Sequence, residues 1–169
     1  MNDSDGHKPV PETDNPPGET RPERISLSRG PRPARILLSD DEPCVRDAIM
    51  LVIEFFFTGY VITDCSTGDE AWSELSKSEP DLLITDFNHP GLSLEEMLRL
   101  LSRKGTRFPV AVLSMTLASF PDVQQRILSL PGLTITIVHK PFLPAELKTC
   151  IINCLTPASD HHPTYRVLH

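Results

Sequence analysis

Long blocks of positive charge are missing from this chain. Its 16 Lys and Arg are outnumbered by 23 Asp and Glu, for a formal net charge of −7. A nucleic-acid-binding face needs grouped cations to neutralise phosphates, so the charge balance argues against that class of partner, and no nucleic acid is expected. Long apolar runs are missing as well. The most apolar stretch, Ala48 to Phe57, has ten residues and includes Glu54, whereas a membrane-spanning helix needs roughly 20 apolar residues. The N-terminus has no charged-then-apolar leader pattern. The four cysteines, Cys44, Cys65, Cys150 and Cys154, form no C-x-x-C pair. They read as buried thiols of a cytoplasmic protein, with Cys150 and Cys154 on one helix face.

Apolar residues are nearly absent from 1–33, a segment that holds seven of the 17 prolines. Such a segment cannot offset its ordering entropy and is expected to be disordered. Residues 157–169 read the same way, leaving 34–156 as one folded domain with no internal repeat. The tails are expected to be dispensable for folding.

Within 34–156, strands and helices alternate. Strands are expected at 34–39, 60–64, 81–85, 108–113 and 133–138. Helices are expected from Pro43 to about residue 57, and at 69–78, 94–103, 121–130 and 144–155. Val45, Ile49, Val52 and Phe56 recur at helical spacing, as do Leu147, Ile151 and Leu155. The run D-L-L-I-T is continuously apolar after its first residue, as a central parallel strand is. Five such units imply an α/β fold, a flavodoxin-like (βα)5 three-layer sandwich with parallel strand order 2-1-3-4-5. In that order the first and third strands flank the point where the strand order reverses, and ligands bind there, beyond the carboxyl ends of the strands.

Polar residues mark those ends. Asp40 and Asp41 follow the first strand, Asp86 the third, Ser114 the fourth and Lys140 the fifth. Three converging carboxylates call for a cation, and oxygen-only ligation selects a hard one such as Mg2+. Asp41 and Asp86 read as direct ligands and Asp40 as an outer-sphere one. Helix N-capping is an alternative role for Asp40-Asp41, compatible with the first. Asp86 can also attack phosphorus to give an aspartyl phosphate, with Lys140 and Ser114 stabilising the phosphoryl oxygens. Read singly, Ser114 is a strand-end hydroxyl, Lys140 a solvated lysine, and Asp86 the start of a D-F-N-H-P-G turn. His89, beside the site, is accounted for by its place before Pro90 in that turn.

The segments D-D-E-P, L-L-I-T-D-F-N-H-P-G, V-A-V-L-S and H-K-P-F resemble the receiver domain of two-component response regulators, over about residues 34–155. The resemblance implies phosphorylation of Asp86 by a sensor histidine kinase or histidine phosphotransfer protein. It implies Mg2+ at Asp41, Asp86 and the backbone carbonyl of Asn88, phosphoryl contacts from Ser114 and Lys140, and a cis Lys140–Pro141 bond. The chain is expected to be no enzyme beyond its own phosphotransfer and autodephosphorylation. With no further domain after the last helix, its output is expected to be contact with a downstream protein, which the sequence does not name. The alternative is a degenerate receiver that binds partners without phosphotransfer. A phosphohydrolase is disfavoured, because the acidic pair comes first and no D-x-D follows the first strand.

Four departures from the pattern bear on output. Ile137 stands where the family has a switching aromatic, and Ser93-Leu94 replace an Asp-Gly. Met115 replaces a small residue and would crowd the phosphoryl pocket. S-L-P-G-L precedes the last strand. The expected output surface is the fourth helix, fifth strand and fifth helix, with Leu117 and Phe120 as apolar anchors in the neighbouring loop.

Overall fold

The computed structural model describes residues 23–156 and the backbone of 165–168. The strands are β1 (Ile25–Ser26), β2 (Ala34–Ser39), β3 (Phe57–Thr58), β4 (Tyr60–Cys65), β5 (Leu82–Asp86), β6 (Pro109–Ser114), β7 (Thr134–His139) and β8 (Tyr165–Leu168). The helices are α1 (Pro43–Phe56), α2 (Gly68–Lys77), α3 (Leu94–Lys104), α4 (Pro121–Leu128) and α5 (Pro144–Leu155). The helix ends follow from local chemistry. Pro43, Pro121 and Pro144 open α1, α4 and α5, where a missing N–H costs nothing. The hydroxyls of Thr67 and Ser93 accept the Glu70 and Glu96 amides and cap α2 and α3. Gly105 ends α3 in the left-handed conformation, φ 74°.

The main sheet runs β4-β2-β5-β6-β7-β8, with every neighbouring pair parallel. Its first five strands are the expected order 2-1-3-4-5. All of β5 is buried. One face packs on α2, α3 and α4 through Ala71, Leu75, Met97, Leu98, Leu101 and Ile127. The other packs on α1 and α5 through Ile49, Ile53, Leu147 and Ile151. Truncating such a buried leucine to alanine costs about 2–5 kcal/mol.

Two expectations about the tails are corrected. The ordered domain starts before Ala34. Ile25–Ser26 pairs with Phe57–Thr58, the Arg24 guanidinium donates to the Phe57 carbonyl at 2.6 and 2.9 Å, and Leu27 is buried against the α1–α5 side. Arg32 then holds Asp81 with two hydrogen bonds of 2.6 and 2.8 Å, and Asp81 also accepts the Arg35 amide at 2.8 Å. Backbone and guanidinium bonds supply what the sparse apolar residues do not. At the other terminus, residues 165–168, expected to be without structure, form the sixth strand on the edge of β7. The remaining expected-disordered residues, 1–22, 157–164 and 169, lie outside those described.

Candidate functional site

The strand ends assemble as the topology requires. Asp40 follows β2, Asp86 ends β5, Ser114 ends β6 and Lys140 follows β7. Lys140 is anchored through its backbone, whose N–H donates to the Ser114 carbonyl at 2.9 Å. The Lys140–Pro141 peptide is cis. From there the lysine side chain reaches back across the end of β6. Its ammonium donates to Asp40 Oδ2 at 2.7 Å and to Asp86 Oδ1 at 2.6 Å. The lysine side chain is 9% exposed, that of Asp40 0% and that of Asp86 10%. Burial pushes the Lys140 pKa down, but hydrogen bonds to both carboxylates and their charges outweigh it, so the net shift is upward.

Each carboxylate has a second partner on its other oxygen. Asp40 Oδ1 accepts the Glu42 amide at 2.9 Å, so the turn-forming role and the site role coexist. Asp86 Oδ2 accepts the Asn88 amide at 2.6 Å. The Asn88 side-chain amide donates to the Thr116 hydroxyl at 3.2 Å, joining the loop after β5 to the loop after β6.

Two of the three expected carboxylates are joined through one ammonium. Asp40 and Asp86 meet at Lys140, whereas Asp41, one residue beyond, is exposed. Among the described residues no three His, Cys, Asp or Glu side chains stand ready to hold a metal together. The donors still suit Mg2+ in kind and charge. Every candidate ligand atom is oxygen, and three carboxylates against one ammonium leave an excess of two negative charges.

Ser114 has a role that sequence reasoning missed. It is 1% exposed, and its hydroxyl oxygen accepts the amides of Thr116 at 3.1 Å and Leu117 at 2.9 Å. It therefore ties down a one-turn 3-10 helix, Leu117–Ser119. That tie explains two further corrections. Leu117 is fully buried and cannot be a surface anchor, while Phe120 is 53% exposed; Met115 is 70% exposed, facing solvent rather than crowding the site. Ser-x-x-Leu before a helix is the signal that could have shown the tie.

His89 is enclosed as well. It is 8% exposed with both ring nitrogens buried and unpartnered. It packs on Gly68, where an added Cβ would lie 2.6 Å from its ring and 2.0 Å from the Leu92 carbonyl oxygen. Ile137 is fully buried. No helix among the described residues is long and apolar enough to cross a membrane.

Comparison with known proteins agrees with this geometry. The family described as "Response regulator receiver domain" matches residues 36–152. Response regulator MprA of Mycobacterium sp. (strain KMS) is 30% identical over 115 residues, covering 68% of this chain and 47% of that protein. A nitrate/nitrite response regulator homolog of Haemophilus influenzae is 32% identical over 82 residues, 48% of this chain and 39% of the relative. The chain thus spans less than half the length of these curated relatives. Among solved structures, the chemotaxis response regulator CheY4 of Vibrio cholerae superposes with a TM-score of 0.60 at 24% identity, covering 72% of this chain and 98% of that one. The receiver domain of the response regulator NarL from Mycobacterium tuberculosis gives a TM-score of 0.63 at 17% identity, covering 74% and 98%. On the family match over residues 36–152, together with the shared fold, this chain belongs to the response regulator receiver domain family, the signalling domains of two-component systems.

Proposed function

We propose that this domain is a cytoplasmic phosphoacceptor, taking a phosphoryl group on Asp86 from a sensor histidine kinase or histidine phosphotransfer protein and signalling through contact with a downstream protein. The observation that carries this reading is the Lys140 ammonium placed between Asp40 and Asp86 at 2.7 and 2.6 Å. A buried cation beside a carboxylate nucleophile is what stabilises charge spread over transferring phosphoryl oxygens.

In the transfer, a carboxylate oxygen of Asp86 forms the new bond to phosphorus. The phosphorus–nitrogen bond of the donor phosphohistidine breaks, and its electron pair stays on the imidazole. Mg2+, held by Asp41, Asp86 and the Asn88 carbonyl with Asp40 acting through water, would supply charge neutralisation for the phosphoryl oxygens. Lys140 shifts its hydrogen bond from the free carboxylate toward those oxygens. Ser114 contributes its O–H as a donor. Because its oxygen also holds the Thr116 and Leu117 amides, drawing Ser114 toward the phosphoryl group pulls on the 115–120 loop. That links the site to α4 without the aromatic side chain that Ile137 replaces.

The test is incubation with Mg2+ and a small phosphodonor, read by intact mass. One phosphoryl increment is expected in the parent and none in Asp86→Asn. An adduct that persists in the variant refutes the assignment of Asp86. No adduct in the parent would make the domain a phosphorylation-independent binding module.

A further inference from the structure

The sixth strand is reached by a crossover unlike the others. The chain steps outward across the sheet from β5 to β6 and from β6 to β7, and α3 and α4 lie on the face they share with α2. From β2 to β4 it steps the opposite way, with α1 on the opposite face. Reversing both direction and face preserves hand, so these crossovers have one hand. The step from β4 past β2 to β5 is outward with α2 on the first face, and it agrees with them. From β7 to β8 the step is outward again, but α5 lies on the face of α1. Only the face has been reversed, so this crossover has the opposite hand. Parallel crossovers are right-handed in about 98% of cases, because a right-twisted strand feeding a right-handed helix packs back on the sheet only that way. The four that agree are therefore right-handed, and β7–α5–β8 is left-handed.

The edge that β8 covers also lacks protection of its own. The six residues of β7 read T-I-T-I-V-H, with no proline and no lysine, and Ile135, Ile137 and Val138 are each at most 1% exposed. Natural edge strands carry charge, proline or a bulge against unwanted pairing. Without a sixth strand, β7 would present a flat row of unpaired amides and carbonyls.

We propose that the outer edge of β7 is a strand-accepting site, and that its occupant is the 165–168 segment of a second copy of this chain, exchanged reciprocally between two molecules. Exchange keeps the same register, Ile135↔Tyr165 to Val138↔Leu168, and removes the need for a left-handed crossover. The eight residues 157–164 span up to about 26–29 Å when extended, enough to carry the segment to a neighbour. Reciprocal exchange of an identical element is a low-cost route to a dimer. The inference rests on sheet topology and stands whether or not Asp86 accepts a phosphoryl group.

Sedimentation of the full chain across a concentration series tests it, beside a variant carrying Arg166→Pro and Val167→Pro. Two consecutive prolines remove at least one amide that faces β7. The parent is expected to double its mass as concentration rises, and the variant to keep a single mass over the same range. Nuclear Overhauser contacts in an equal mixture of isotopically distinct parent molecules give a second readout that needs no variant. Contacts between 165–168 of one copy and 135–138 of the other are expected. A parent that stays at single mass throughout, or contacts confined within one copy, overturns the proposal.

Discussion

The two ends of the parallel sheet each carry a cation–carboxylate cluster, and the two clusters are balanced differently. At the amino end of β5, one carboxylate, Asp81, receives both prongs of the Arg32 guanidinium and the Arg35 amide. Charge is matched, and the fork geometry suits a carboxylate. The hydrogen bond from Arg32, helped by the Arg35 amide and opposed by partial burial, holds the Asp81 carboxyl below its ordinary range. At the carboxyl end, two carboxylates divide one ammonium, and one of them is completely buried. One end is a finished structural fastening; the other keeps unneutralised charge, which is what a site needs to receive a cation and a phosphoryl group.

Breaking the cluster at the carboxyl end should cost most. Lys140→Met leaves Asp40 and Asp86 facing each other without a cation. A loss of about 3 kcal/mol is expected, at the low end for a broken buried pair because water reaches Asp86. Urea unfolding measures it, and a loss below about 1 kcal/mol would place the ammonium outside the interactions that hold the strand ends together.

Next comes Gly68→Ala. The added methyl meets the Leu92 carbonyl oxygen, which as backbone cannot step aside cheaply, and a loss of about 1–3 kcal/mol is expected from the overpacking. Because His89 shares the contact, its ring proton resonances should shift in the same variant. Unchanged resonances with unchanged stability would show that the α2 start is looser than the described packing.

The pH dependence separates the two ends by sign. Lys140 has its folded pKa above the ordinary 10.5. Its contribution is complete below about pH 10.5 and is lost as pH rises through the folded value. Asp81 has its folded pKa below the ordinary 3.8. Its contribution is complete above that value and is lost as pH falls through the folded one. Melting curves of the parent and of Lys140→Met should therefore draw together at alkaline pH. Those of the parent and of Asp81→Asn should draw together in acid. Convergence at the wrong end would reverse the assignment.

The smallest effect is expected at neutral pH from Asp81→Asn. The Arg32 side chain is 53% exposed, so water replaces much of what the guanidinium gives up, and the loss should be roughly a third or less of that from Lys140→Met. Equal losses would mean that the cluster at the amino end is as shielded as the one at the carboxyl end.

Much of this contrast was legible in the sequence, but not evenly. The order of five strands and the positions of Asp40, Asp86, Ser114 and Lys140 follow from period, apolar runs and chain direction, which local chemistry determines. The exposure of Asp41 does not, because one step past a strand end the backbone chooses its own direction. The strand-end place of Ser114 shows a hydroxyl donor, while its oxygen holds two loop amides that only the turn brings near. The strand at Ile25–Ser26 is two residues long in a proline-rich segment, and it exists through bonds to Phe57 and Thr58, distant in sequence. Likewise the strand at Tyr165–Leu168 exists because β7 has an edge to offer. A pairing partner on another element leaves no mark in composition.

The two contacts of Lys140 also have an entropic consequence. A lysine loses on the order of 1.5–2 kcal/mol of side-chain freedom when it is fixed in one conformation. Here that loss occurs on folding, since the side chain is already stretched over the end of β6 to reach two carboxylates. An arriving phosphoryl group meets a cation that needs no further ordering, and the approach to the transition state is correspondingly less costly.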